Sequence, residues 1–333
     1  MGPFLNYLDR LKQRANLGPP AWLLPRARAL KGVQWLILAM LLLAVHRVGL
    51  ELTSASPGTD FDLLYHAAQH LLAGENPYPI AREWFRYPLF YPMPAVLLAI
   101  PYSFFSVQVG RILWDLTIGG LFAFALWRTR GPYALLALLS AAYLYALRAS
   151  QTTPLLVAAS LLPWLGFVLV VKPNIGLALW CARPNKRAVL GGAAVLLLSL
   201  LILPSWPLDW FHALQEQNQH LRPPVLRPFG FLLLLGAYRW RMPEGRLLLL
   251  LALIPQNTLP HELVPLALIP ANRVEMGIYV VGTWFTLGPV IDAARRHPHA
   301  LADITAEAWP VILAAVYLPM LFLVLRRRPL LPQ

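Results

Sequence analysis

Long runs of apolar residues alternate with short polar segments along most of this chain. The first run, Val33–Leu50, would extend about 27 Å as an α-helix, which is enough to cross a bilayer. Further runs of similar character follow at 91–105, 109–127, 133–147, 154–171, 188–203, 274–291 and 310–325. This pattern predicts an all-α, polytopic integral membrane protein.

Three other apolar runs are shorter, at 229–238, 247–255 and 263–269. None of them can cross a hydrocarbon layer of about 30 Å as a straight α-helix. The chain also has 32 prolines, many of which interrupt the apolar runs. We therefore expect several broken or short helices, buried in protein or lining a wet cavity.

Composition supports the membrane assignment, since 58% of the residues are hydrophobic and only 13% are charged. The net charge of +13 does not indicate a nucleic-acid partner, because the basic residues form short clusters between apolar runs. Such clusters are typical of cytoplasmic loops. They predict a multi-pass protein of the plasma (inner) membrane with both termini cytoplasmic. The single cysteine, Cys181, excludes an intrachain disulfide.

The same pattern divides the chain into three parts. Residues 1–32 are predicted to be a cytoplasmic basic segment, either a short helix on the leaflet or a frayed tail. Residues 33–325 form the membrane domain, whose first run we interpret as an uncleaved span. Residues 326–333 form a cytoplasmic tail. Residues 51–87 are then the first exoplasmic loop, whereas the basic clusters do not determine the topology of 149–181.

That loop contains a predicted amphipathic juxtamembrane helix. Leu63, Ala67 and Leu71 recur at helical spacing, with polar residues on the other face, and Gly74 is suited to end the helix. The apolar stripe predicts that the helix lies along the membrane surface. Asp60 would then lie just ahead of the first turn, where a carboxylate can accept helix N–H groups.

Asp60 and Asp62 are the main candidates for chemistry, because carboxylates beside hydrocarbon need a partner or a task. Asp60 could act as a general base towards a hydroxyl group, with Asp62 as the second choice. The simpler interpretation is that Asp60 only caps the helix. A divalent metal is possible through these two carboxylates, but it is not indicated and no cofactor is required.

Two cationic or donor groups lie further along the chain. Lys172 follows a long apolar run, and it either holds an anion in a polar cavity or extends from a helix end into the interface. His261 lies in a proline-containing turn, where it could donate to a phosphate oxygen or simply be solvated. Gln151 belongs to a linker or a cavity lining. Arg111 and Asp115, four apart, are predicted to form a structural pair.

At these residues the chain resembles the glycosyltransferase-C superfamily, specifically glycosyltransferase family 87. The matching pieces, in family order, are Asp60-Phe61, Tyr65, Ala67-Ala68, Gly74-x-x-Pro77-Tyr78, Tyr91-Pro92, Gln151-Thr-Thr-Pro, Lys172-Pro173 and Pro260-His261. The resemblance implies a glycosyltransferase-C-like fold with Asp60 as catalytic base. It also implies that Lys172 and His261 contact a lipid-phosphate donor, and it adds Tyr65 and Gln151 to the substrate-binding residues.

The reaction that the resemblance implies is an inverting sugar transfer on the exoplasmic face. The donor would be a polyprenyl-phosphate-linked sugar such as a mannose-like hexose, and the acceptor a hydroxyl of a lipid or glycan. Membrane lipids would surround the protein. Two other classes remain open: a transporter or flippase of a lipid-linked or anionic solute, which would also use broken helices, and a non-catalytic membrane scaffold.

Overall fold

The computed structural model of the protein describes residues 23–53, 59–84, 87–217, 221–297 and 300–327. The predicted short helix at the N-terminus falls largely on residues 1–22, outside the described residues. Most of the predicted cytoplasmic tail, 328–333, also lies outside them. Elsewhere the described chain is helical, as the apolar runs predict.

Fourteen α-helices, numbered here in chain order, make up most of the described chain. They are α1 Leu23–Thr53, α2 Asp60–Leu72, α3 Pro77–Trp84, α4 Met93–Ala99, α5 Val107–Arg130, α6 Ala141–Arg148, α7 Thr153–Leu161, α8 Pro173–Ala182, α9 Lys186–Ile202, α10 Trp206–Gln217, α11 Pro243–Leu253, α12 Arg273–Arg296, α13 Leu301–Ile312 and α14 Leu318–Arg326.

Tighter 3₁₀ helices join several of these α-helices. The longer ones span Pro132–Leu139, Pro163–Val171, Gly230–Arg239 and Pro260–Leu268, and shorter ones span Ile100–Tyr102 and Pro224–Leu226. A 3₁₀ helix rises about 2.0 Å per residue, so none of them reaches the roughly 30 Å of a hydrocarbon core. Two of the three short apolar runs, 229–238 and 263–269, take this form.

Among the described residues, four helical stretches are long and apolar enough to cross a membrane: Val33–Leu50, Val107–Arg130, Arg273–Arg296 and Leu301–Arg326. A fifth crossing would need α9 and α10 together, which are bent by 97°. The protein is therefore a helical membrane protein with fewer straight spans than the apolar runs predict. Three of the predicted runs are divided: 91–105, 133–147 and 154–171. The last of these breaks at Pro163, which cannot continue α7.

The predicted loop helix is α2, which begins after Thr59 and ends at Ala73, with Gly74 at φ +82°. Its side chains Phe61, Leu63 and Leu64 are buried, and α2 packs against α4 and α5. This packing fixes the N-terminus of the helix, with Asp60, within the protein. That α2 also lies along a membrane surface remains a prediction.

Candidate functional site

Asp60 lies in the first turn of α2, where two side chains from other elements hold its carboxylate. The Tyr91 hydroxyl and the Gln151 amide nitrogen both donate to Oδ2 of Asp60. Burial first, and then the charge and hydrogen bond of Asp60, raise the pKa of Tyr91 well above its usual value, so Tyr91 keeps its proton. Within the described residues no hydrogen bond ends on Oδ1, which leaves that oxygen able to accept a proton.

Asp62, the second candidate base, has a different environment. Its Oδ1 accepts from Nε of Arg111 at 2.9 Å and from a terminal guanidinium nitrogen at 2.7 Å. Its Oδ2 accepts the backbone N–H of Thr59 at 2.7 Å. Asp62, rather than Asp60, therefore satisfies the start of the helix, which corrects the expectation that Asp60 is the cap. With Asp62 only 5% exposed, a substrate has little access to it.

Arg111 and Asp115, which were predicted to form a pair, each have an ion-pair partner on another helix. Arg111 binds Asp62 on α2, whereas Asp115 binds Arg47 on α1 at 2.6 Å. Spacing along one helix could not reveal these partners, because both come from distant parts of the sequence. The Arg47–Asp115 ion pair lies between two candidate membrane spans and is almost fully buried.

Side chains of helix α5, which carries Arg111 and Asp115, also hold the turn that places Gln151 beside Asp60. Ser150 has φ +50°, a backbone conformation that side-chain-bearing residues seldom adopt. Its hydroxyl donates to Asp115 at 3.0 Å, and its carbonyl accepts from the Trp114 ring nitrogen at 3.2 Å. Such backbone strain persists where surrounding contacts enforce it. The buried contacts of α5 therefore determine where Gln151 lies.

Lys172 and His261 converge on a residue that the sequence did not single out, Glu262. The Lys172 ammonium lies 2.7 Å from Oε1 of Glu262, and Nε2 of His261 lies 3.4 Å from the same oxygen. Glu262 lies outside the candidate spans and is 2% exposed. Burial by itself would raise the pKa of Glu262, but Lys172 and His261 lower it to about 2. Glu262 is therefore ionised at neutral pH.

His261 is held as part of a flat stack. Its ring lies parallel to that of Tyr145, with an angle of 13° between the planes and 5.8 Å between the centroids. Its Nδ1 is buried and has no hydrogen-bond partner among the described residues. Nε2 is therefore the ring atom directed at Glu262, whereas Nδ1 is enclosed by the surrounding protein atoms.

One cavity of about 440 Å³ contains these groups together. Asp60, Gln151, Lys172 and His261 all belong to its lining, although they are far apart in sequence. Glu262, Tyr91 and Tyr145 line the same cavity, with Asn174, Asn257 and Trp210 among its other polar or aromatic residues. Among the described residues of the lining, Lys172 is the only lysine or arginine. The described part of the lining thus contributes two carboxylates, one ammonium and one imidazole.

Tyr65, in contrast, is not part of this lining. Its hydroxyl donates to the Phe105 carbonyl at 2.7 Å and accepts from the Gln69 amide at 3.0 Å. Its ring packs beside Phe61. The structure therefore places four of the six predicted site residues around one cavity and leaves Asp62 and Tyr65 outside it.

A second, nearly apolar groove of about 540 Å³ adjoins the cavity. It runs along α8 and α9, where Leu177, Val189 and Leu196 contribute to its walls. Pro92, Pro173 and Trp210 line both spaces. The polar cavity and the apolar groove therefore adjoin each other at these three residues.

The sequence contained weak signals for the residues that were missed. Tyr91 belongs to one of the pieces that match family 87, and Glu262 directly follows His261, but neither could be assigned a partner without the fold. Across the described ranges, no cluster of three or more His, Cys, Asp or Glu side chains could hold a metal ion.

The fold and this cavity together describe a helical membrane protein with a buried polar site next to an apolar groove. We find no match to the chain among protein-family models, among curated proteins or among solved structures.

Proposed function

We propose that this protein is an inverting glycosyltransferase of the membrane with a glycosyltransferase-C-like fold. It would transfer a sugar from a polyprenyl-phosphate donor to a hydroxyl of a lipid or glycan acceptor, on the exoplasmic face. The observation that supports this best is the shared cavity, whose lining contains Asp60 together with Lys172, His261 and Gln151. A base and an anion-binding group in one cavity are what such a transfer requires.

The proposed reaction is a single displacement. Oδ1 of Asp60 takes the proton of the acceptor hydroxyl while that oxygen attacks the anomeric carbon. The bond between the anomeric carbon and the phosphate oxygen breaks, and its electron pair leaves with the lipid phosphate. Tyr91 and Gln151 hold the carboxylate through Oδ2 during this step. The configuration at the anomeric carbon is inverted, and the products are a glycoside and a polyprenyl phosphate.

Lys172 and His261 are the groups that would stabilise the departing phosphate. An ammonium group and an imidazole N–H form strong hydrogen bonds with anionic oxygens. Lys172 is already bound to Glu262, so the donor phosphate would share this cation with a carboxylate. No metal is needed for the proposed step, although the chemistry would tolerate one.

The apolar groove favours a lipid-linked donor over a soluble nucleotide sugar. Its walls along α8 and α9 are hydrocarbon side chains, and burying a prenyl chain there would contribute about 25 cal/mol per Å² of apolar surface. Since the groove meets the cavity at Trp210, Pro92 and Pro173, a chain in the groove could present its phosphate to Lys172.

The test is to incubate purified protein in nanodiscs with a mixture of polyprenyl-phosphate sugars and candidate hydroxyl acceptors, and to identify the products by mass spectrometry. We expect a new glycoside of inverted configuration and free polyprenyl phosphate. If sealed proteoliposomes instead move a lipid-linked or anionic solute across the bilayer and no glycosidic bond forms, the proposal is wrong and the transporter class is correct.

A further inference from the structure

Among the described residues of the cavity lining, Glu262 is the least exposed charged group. Its Oε1 receives both Lys172, at 2.7 Å, and His261, at 3.4 Å. Its Oε2 is buried and has no hydrogen-bond partner among the described residues. The groups proposed to bind the donor phosphate are thus arranged around a carboxylate, which lies beside any anion bound there.

A carboxylate in this position is unexpected if the site only needs to attract an anion. Within the described part of the lining, Lys172 supplies one positive charge, whereas Asp60 and Glu262 supply two negative charges. Replacing Glu262 with a neutral amide would make the site a better anion trap. An explanation for Glu262 must therefore concern which anion is held, rather than how tightly anions are held in general.

The substrate and product of the proposed reaction differ in charge. A sugar-linked polyprenyl phosphate is a phosphodiester with one negative charge. The product is a phosphate monoester, which carries a charge of about −1.5 to −2 at pH 7 because its second pKa is about 6. A fixed negative charge near the phosphate repels the product more than the donor, and the repulsion is strong where water is excluded.

We propose that Glu262 is a specificity-determining residue that makes the site discriminate against the phosphate monoester product and in favour of the phosphodiester donor. Lys172 and His261 bind the phosphate, and Glu262 limits how much negative charge they can accept. This inference rests on the proposed function for the identity of the two lipids. The selectivity itself concerns only the binding of phosphate esters and can be measured without sugar transfer.

The experiment measures binding of three prenyl lipids to the full chain in nanodiscs: a prenyl monophosphate, a prenyl methyl phosphodiester and the uncharged prenol. Dissociation constants are compared at pH 8 for wild type, Glu262→Gln and a control, Glu83→Gln, whose side chain is exposed. We expect Glu262→Gln to improve the affinity for the monoester relative to the diester by about tenfold or more. Prenol binding and the control should not change.

A charge-retaining variant and a paired neutral variant address loss of folding. In Glu262→Asp, the ratio of the monoester affinity to the diester affinity should stay closer to the wild-type ratio than it does in Glu262→Gln. If Glu262→Gln does not fold, Lys172→Gln is compared with the double variant Lys172→Gln/Glu262→Gln, in which no buried charge of the pair is left without its partner. In the double variant, the affinity for the monoester should rise relative to the affinity for the diester.

The outcomes separate the two proposals. If wild type binds both phosphate esters but the ratio does not shift when Glu262 is neutralised, the role of Glu262 is refuted and the donor site stands. If wild type binds neither ester better than prenol, the donor site is refuted, and the proposed function fails with it. Weaker binding of both esters by Glu262→Gln would show that Glu262 only supports the position of Lys172, against the inference.

Discussion

Asp60 and Asp62 lie two positions apart on the same helix, and the regions around them are organised in opposite ways. Asp62 belongs to a closed region in which Arg111 and the Thr59 N–H take up its oxygens. Asp60 belongs to the cavity, where both described hydrogen bonds end on one oxygen. In one region charge is neutralised inside the protein, and in the other it faces a space that a ligand can fill.

The same contrast extends to two other ion pairs. Arg47 and Asp115 bind each other between helices α1 and α5, and this closed pair supports the strained Ser150 turn. Lys172 and Glu262 bind each other at the cavity wall. A closed pair fixes the fold, whereas a pair that lines a cavity can rearrange when an anion arrives. The predictions below test this distinction.

The largest effect is expected in the closed region. Asp62→Asn removes the charge that faces Arg111, and removing one partner of a buried ion pair typically costs about 3–5 kcal/mol. We expect a large fall in the free energy of unfolding, measured by denaturant titration in detergent. Asp303→Asn, at an exposed carboxylate, is the control. If Asp62→Asn is as stable as wild type, the Asp62–Arg111 ion pair does not stabilise the fold.

The reverse result is expected for Asp60→Asn. The amide can still accept from Tyr91 and Gln151, so stability should remain near that of wild type. Sugar transfer should fall by about 10²-fold or more, because an amide cannot act as a base. Initial rates measured with a radiolabelled donor would show this, with Asp303→Asn again as the control. Unchanged transfer in a folded variant rejects Asp60 as the base.

A smaller effect, confined to the donor, is expected for Lys172→Ala. Hydrogen bonds to charged groups contribute about 1.5–3 kcal/mol, which corresponds to an increase of about 10–100-fold in KM for the donor. The KM for the acceptor should change little. Lys186→Ala, at an exposed lysine on α9, is the matched control. An equal rise in the KM for the donor and the KM for the acceptor would contradict a role in phosphate binding.

Glu262 should show a distinctive dependence on pH. Its pKa is lowered to about 2 in the folded protein, so its ion pair contributes stability above the unfolded pKa of about 4.5, and this contribution is lost as pH falls towards 2. The melting temperatures of wild type and Glu262→Gln should therefore differ at pH 7 and approach each other as pH falls from about 4.5 to about 2. A difference in melting temperature that stays constant from pH 7 to pH 3 would count against a stabilising ion pair between Glu262 and Lys172.

The smallest effect is expected for Tyr65→Phe. The change removes one hydroxyl, whose hydrogen bonds to Phe105 and Gln69 contribute about 0.5–1.5 kcal/mol. Because Tyr65 is not in the cavity lining, we expect both KM values to stay within about twofold of wild type. A clear rise in either KM would support the substrate contact that the resemblance implies for Tyr65.

The sequence predicted local features of this molecule better than distant contacts. The helix Asp60–Leu72 and its end near Gly74 follow from spacing and glycine chemistry. The helical stretches Val33–Leu50 and Val107–Arg130 also follow from the apolar runs predicted at 33–50 and 109–127. In contrast, the partners that Arg111 and Asp115 have on other helices could not be read from their spacing along α5.

The candidate site was predictable residue by residue, but not as an arrangement. Asp60, Lys172 and His261 could be selected because charged or polar residues next to apolar runs are unusual. Glu262 could not be recognised as the partner of Lys172, since the two are brought together only by the packing of the chain. Tyr91 likewise acquires its role from a contact with Asp60 that no sequence spacing encodes.

The most direct measurement of the central claim is a density map of the protein in nanodiscs with a non-hydrolysable polyprenyl-phosphonate sugar. The account predicts the phosphonate within hydrogen-bonding distance of the Lys172 ammonium, the prenyl chain in the groove along α8 and α9, and the anomeric carbon on the Asp60 side of the cavity. A lipid head group bound elsewhere, with this cavity filled only by water, would contradict it.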